Sequence, residues 1–208
     1  MSAGAAAAGR TGGGRGMPGA RETGYPPDRI TAFFHGFEES IMPSTTNDVV
    51  ELILRDHRRM EDLFRTMRNA EADRAGALRE FAALLVAHAT AEEEKVYPAL
   101  RRYKNVDDDD VEHSVHEHQE ANEALLALLE VEDTASQEWE EKLEELVTAV
   151  NHHADEEERT LLNDARENVS DERRAQLGEA FSRARAEQLD ADCGDIENVR
   201  KIVASGGD

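Results

Sequence analysis

Apolar residues recur at steps of three and four along residues 45–208, a stretch that holds a single proline, Pro98. Leu78, Phe81, Leu85, His88 and Glu92 show the pattern most clearly, at steps of 3, 4, 3 and 4. That spacing lines one side of an α-helix, and the strict alternation that marks a half-buried strand is absent. The chain reads as all-α. A first helix is expected from a cap at Asn47 or Asp48 to about Asn69, with Val50, Ile53, Leu54, His57, Phe64 and Met67 inward. A second runs from about Asp73 to Tyr103, with a kink or loosened turn where Pro98 removes the hydrogen bond to the carbonyl of Glu94. A third starts behind the acidic run 107–110 and turns Val111, Val115, His118, Leu125 and Leu129 inward. The fourth, about 136–167, carries Leu143, Leu146, Val150, His153, Glu157 and Leu161. Ser170 caps a fifth, highly charged stretch to about Leu189, expected as an appended helix with an acidic tail over 168–208.

Four long helices with short loops over 45–167 predict an antiparallel up-and-down four-helix bundle with one inward histidine per helix. Measured from loop centres at Glu71, Asn105 and Asp133, adjacent histidines differ in depth by three to five residues, about 5–8 Å. His57, His88, His118 and His153 can therefore meet in one layer. His88–Glu92 and His153–Glu157 add a carboxylate one turn along the same face. Burying these groups without partners costs several kcal/mol, so something must satisfy them. Imidazole with carboxylate suits iron, manganese or zinc, and glutamates can bridge two ions in a bundle core. Thiolate-bound metals are disfavoured, because Cys193 is the single cysteine.

Charge narrows the partners. Asp and Glu total 46 against 24 Lys and Arg, a net charge of −22 that argues against nucleic acid and against an anionic membrane surface. Residues 1–44 hold equal numbers of Arg and acidic residues, and their Ala, Gly and Arg composition predicts a disordered leader without a signal peptide. The aromatic patch around His35 is its exception, and Met17 or Met42 are alternative starts. One cysteine and no long apolar run fit a soluble protein in a reducing, cytoplasmic compartment, with Cys193 an incidental tail residue.

The stretches "DHRRMEDLF" (56–64), "HATAEEEKVYP" (88–98), "EHQEANEALLALL" (117–129) and "HHADEEERTLL" (152–162) resemble the bacterial hemerythrin-like proteins of the HHE cation-binding type. The resemblance covers about residues 46–165. It implies a di-iron site with two oxo- or hydroxo-bridged Fe ions, held by His57, His88, Glu92, His118, His153 and Glu157, that meets O2, peroxide or nitric oxide. His152 is a rival to His153, and the 3/4 steps from Leu146 and Val150 favour His153.

Oxygen-carrying hemerythrins place a histidine pair four apart on the third helix, whereas Ser114 and Asn122 stand four residues either side of His118 here. The missing imidazole implies an open position, which favours peroxide or nitric oxide chemistry, or sensing, over reversible O2 carriage. His113 or His116 would compensate if the third helix were rotated. Glu61 is a further oxygen donor, read first as a solvated charge beside Arg58 and Arg65. Trp139 is expected to pack at the start of the fourth helix, and Tyr97 to pack, stack near the metals or donate to a ligand carboxylate. The runs "AEEEK" and "DEEER" are expected as solvated faces apart from one inward Glu each. Three functions follow: a redox-active di-iron protein, a non-enzymatic oxygen or iron sensor or binder, and a metal-free helical interaction module.

Overall fold

The computed structural model describes residues 47–206. The leader expected over 1–44, with its alternative starts and its patch around His35, lies outside them. Every regular element described is a helix, and none is long and apolar enough to cross a membrane. Helix α1 spans Val49–Arg68, and the Asp48 carboxylate caps it by accepting the Val50 N–H at 3.0 Å. Helix α2, Arg74–Ala91, starts at Asp73, which accepts from Gly76 at 2.8 Å. A π-helical turn over Glu92–Val96 joins it to the short α3, Tyr97–Leu100. Asp107 caps α4, Asp108–Leu129, and Ser136 caps α5, Gln137–Arg159. Helices α6 (Leu161–Asn168), α7 (Asp171–Asp190) and α8 (Ile196–Gly206) follow among the described residues. In space α1 packs on α2 and α5, and α4 packs on α5 and α2.

The packed interior falls into two apolar clusters. One includes Met60, Phe64, Phe81, Ala87, Leu125, Trp139 and Val150; the other includes Ile53, Leu54, Ala91, Tyr97, Val111, Leu161 and Phe181. On each of α1, α2, α4 and α5 the boundary between them is the residue the sequence singled out: His57, His88, His118 and His153. A polar layer thus crosses the core. Trp139 packs fully buried, as expected.

Pro98 loosens the second helix in a specific way. Pro98 offers no N–H to the Glu94 carbonyl, and one residue before it the Tyr97 N–H reaches back five residues to the Glu92 carbonyl. Five residues are about 140° apart around an α-helix. The wider turn brings Tyr97 back toward the face of Glu92, and both side chains are buried.

Four expectations are corrected. The fourth helix is not continuous: Thr160 (φ −104°, ψ −90°) separates α5 from α6, and its hydroxyl donates to the Glu156 carbonyl at 2.8 Å, the back-bonding that bends helices. On α4 the inward residue is Ser114, whereas Val115 is exposed, because the stripe runs Val111, Ser114, His118, Ala121, Leu125, Leu128. The acidic tail contains a helix, α8. A Schellman turn precedes it: Asp192 adopts φ 55°, its N–H bonds to the Leu189 carbonyl at 3.2 Å, and the Cys193 N–H bonds to that of Gln188 at 3.2 Å. Cys193 is buried, and its thiol donates to the Ala83 carbonyl at 3.4 Å.

The stretch expected as an appended helix, α7, lies along α1 and α2. Its Arg174 pairs with Asp48 at 2.8 Å and its Arg185 with Asp56 at 2.6 Å. Gly178 permits the approach, since a Cβ there would stand 1.6 Å from the Asn47 carbonyl oxygen. Gly178→Ala should therefore lower unfolding stability by about 1–3 kcal/mol, although alanine is the better helix former. Denaturant titration checks this, and a stabilised variant would contradict the packing of α7.

Candidate metal centre

Each helix of the layer delivers its groups by simple spacing. His88 and Glu92, and His153 and Glu157, lie one turn apart on α2 with its π turn and on α5, while α1 and α4 supply His57 and His118. All six side chains are buried: Glu92 and Glu157 are 0% exposed and no histidine exceeds 4%. His57 and His88 sit as one pair, ring centroids 5.1 Å apart, and His118 and His153 as another at 4.4 Å. Glu92 reaches both pairs, with Oε2 3.2 Å from His88 Nε2 and 3.3 Å from His118 Nε2. Glu157 Oε2 lies 3.5 Å from His57 Nε2.

The outer edge of each imidazole is held by a different carboxylate. His57 Nδ1 meets Glu158 at 3.0 Å, His118 Nδ1 meets Glu93 at 2.9 Å, His153 Nδ1 meets Glu117 at 3.1 Å, and His88 Nδ1 meets Asp56 at a longer 3.4 Å. In every case the carboxylate comes from the adjoining helix: Asp56 of α1 serves α2, Glu93 of the π turn serves α4, Glu117 of α4 serves α5, and Glu158 of α5 serves α1. The four bonds close a ring. An Nδ1 engaged outward leaves Nε2 pointing into the layer.

Inside the ring the bonding is incomplete. His57 Nε2, His88 Nε2, Glu92 Oε1 and Glu157 Oε2 are buried without a hydrogen-bond partner. Burial opposes charge on His118, yet its hydrogen bonds to Glu92 and Glu93 hold its pKa at about 10. Burial likewise disfavours a charged Glu92, but His88 and His118 hold it down at about 2. Burial and the charge of Glu92 push Glu157 up. The enclosure favours positive charge at its centre. Unpaired imidazole and carboxylate atoms around such a centre fit a metal ion of the nitrogen- and oxygen-liking class.

The family described as hemerythrin HHE cation binding domain matches residues 48–165. This chain belongs to the hemerythrin HHE cation-binding family. No curated protein and no solved structure matches it. In this hemerythrin-like chain all six sequence-named residues fall into two adjoining groups of potential metal donors, His57, His88, His153, Glu157 and Glu92, His118, His153.

The rivals lie elsewhere. His152, His113 and His116 are exposed, and Glu61 faces solvent in an ion pair with Arg65 at 3.1 Å. Tyr97 does more than pack: its hydroxyl donates to Glu157 Oε1 at 2.9 Å, and its ring stacks on His118 at 5.8 Å. Burial and the surrounding carboxylates raise the phenol pKa well above its ordinary value, so it stays a donor.

Sequence reasoning missed the outer carboxylates and assigned the runs around Glu93 and Glu158 to solvent. One signal was present, an acidic residue directly beside one layer residue on each helix: Asp56–His57, Glu92–Glu93, Glu117–His118 and Glu157–Glu158. Asp56 has a second partner in Arg185; burial works against its charge, and the bonds to His88 and Arg185 still hold its pKa below the usual value. Asp56→Asn should weaken metal retention by about 10–100-fold, the range for partners of this kind, measured by competition with a chelator.

Proposed function

We propose that this chain is a di-iron protein whose centre binds or reacts with O2, peroxide or nitric oxide. The observation that carries the reading is the enclosure of four inward Nε2 atoms and two carboxylates, four of whose atoms lack any partner. The pairing of the rings supports a reading in which His57 and His88 would hold one iron and His118 and His153 the other, with Glu92, which meets both pairs, and Glu157, grouped with His57, His88 and His153, as the carboxylate donors. We infer for α1, α2, α4 and α5 an antiparallel up-and-down bundle, supported by their short connections and mutual packing. Two bound irons supply one-electron redox steps and coordination positions for a small ligand.

The chain's own residues prepare that site. The ring of outer carboxylates fixes each imidazole tautomer and raises its basicity. Tyr97 holds Glu157 by its hydroxyl and keeps a proton at the edge of the site. The apolar clusters on both sides exclude water, while a cavity of about 320 Å³ between α1 and α5, lined by His57, Phe64, Val150 and Glu158, gives a small molecule a path to the His57 edge. Ser114 and Asn122 are buried one turn either side of His118, and neither offers an imidazole. This supports an open position suited to peroxide or nitric oxide, in a cytoplasmic protein.

Metal analysis with optical spectra in air, then with peroxide and nitric oxide, tests the reading. Two irons per chain are expected in the wild type, with clear loss in His88→Ala and Glu157→Ala together with lower thermal stability, because binding is coupled to folding. Two irons retained in both variants would refute the assignment. A second prediction follows from His118. Its pKa of about 10 keeps it protonated at neutral pH, and ligation through Nε2 requires the neutral ring. Metal uptake near pH 7 should release about one proton from this residue, and affinity should fall as pH falls. The dependence of calorimetric heats on buffer ionisation enthalpy measures the release.

A further inference from the structure

Outside the layer, α4 and α5 carry a second pair of His-x-x-x-Glu spacings, His113–Glu117 and His152–Glu156. On adjacent packed helices these four side chains converge. His113 Nε2 is 3.4 Å from Glu117 Oε1 and 3.2 Å from Glu156 Oε2, and His152 Nε2 is 3.5 Å from the same Glu117 oxygen. One donor atom from each of the four residues lies within 4.8 Å of all the others. Zinc bound tetrahedrally to imidazole nitrogen and carboxylate oxygen at about 2.0–2.1 Å sets its ligand atoms roughly 3.3–3.4 Å apart. These three His-to-Glu separations match that edge length, and the remaining pairs lie within 4.8 Å.

An ordinary network of surface ion pairs does not account for Glu117. Its side chain is 3% exposed, Oε2 accepts from His153 Nδ1, and Oε1 is buried without a hydrogen-bond partner while facing the two imidazoles. A cation between the four residues would satisfy that oxygen. Supply is favoured too: an acidic groove lined by Glu120, Glu141, Glu144 and Glu145 reaches His152, and grooves of one charge sign concentrate the opposite ion.

We propose that His113, Glu117, His152 and Glu156 form a separate site for a zinc-like divalent cation on the α4–α5 surface. Two imidazoles and two carboxylates suit zinc, and the edge open to solvent lets the ion enter. Glu117 joins this site to the inner layer, one oxygen holding His153 and the other facing the surface cation. The site does not depend on the identity of the inner metal.

The test loads the full-length chain with iron, adds zinc, removes unbound metal by gel filtration and counts zinc and iron by elemental analysis. The wild type should retain about one zinc per chain with its iron unchanged. The double variant His113→Ala/His152→Ala should lose that zinc and keep its iron and helical circular dichroism, both replaced side chains being more than half exposed. His116→Ala, one turn away and paired with Glu120, should retain the zinc. In the wild type, imidazole 15N resonances of His113 and His152 should shift on zinc addition while those of His116 stay. Equal zinc in wild type and double variant, no retained zinc in either, or zinc gained only by displacing iron would each overturn the proposal. If iron fails to load, the one-zinc difference between wild type and double variant still decides this site.

Discussion

The structure depends on a closed ring of carboxylate-to-imidazole hydrogen bonds that passes from α1 to α2 to α4 to α5 and back. A buried ionisable layer is otherwise a liability, since each desolvated charge costs several kcal/mol unless its partners are well placed. Here every one of the four central helices interrupts its apolar stripe at the same level. The ring satisfies the outer face of the layer and leaves the inner face wanting a cation. It also ties each helix to the next by a bond with a fixed direction, which sets the rotation of every helix about its axis.

Two local irregularities serve that layer. The π turn after α2, just before Pro98, places Glu92 in the centre, Glu93 against His118 and Tyr97 against Glu157 within six residues. A regular α-helix would direct Tyr97 away from Glu92. Helix α7 makes the other contribution. It carries Arg185 to Asp56, the carboxylate with the longest bond in the ring, and sets Phe181 edge-on to His88 at 5.9 Å. A buried carboxylate with two cationic or donating neighbours keeps its charge, so α7 supports the centre from outside the four helices that form it.

The stripes on α1, α2 and α5, the depth of the histidines and the six central residues were legible because spacing alone decides which residues share a helical face. The outer carboxylates were not. Asp56, Glu93, Glu117 and Glu158 each sit about 100° around the helix from the neighbouring layer residue, and whether that direction meets solvent or another helix depends on packing that no single helix encodes. Val115 was misplaced for a related reason: hydrophobicity favoured it, while the rotation that brings His118 inward buries Ser114 instead. Helix α8 was hidden because the left-handed residue that ends a helix usually announces itself as glycine, and at the end of α7 Asp192 takes that conformation. Membership of the hemerythrin HHE family was legible from the order of the His and His-x-x-x-Glu segments, and the family match over 48–165 bears it out.

We propose that the polar layer holds two irons between its imidazoles. Crystals of the iron-loaded full-length chain, with anomalous diffraction collected on both sides of the iron absorption edge, test it most directly. The account predicts two iron peaks inside the layer, one beside His57 and His88 and one beside His118 and His153, with Glu92 and Glu157 reaching both. A single peak, or iron found only on the α4–α5 surface with the layer closed by histidine-to-carboxylate bonds alone, would contradict it.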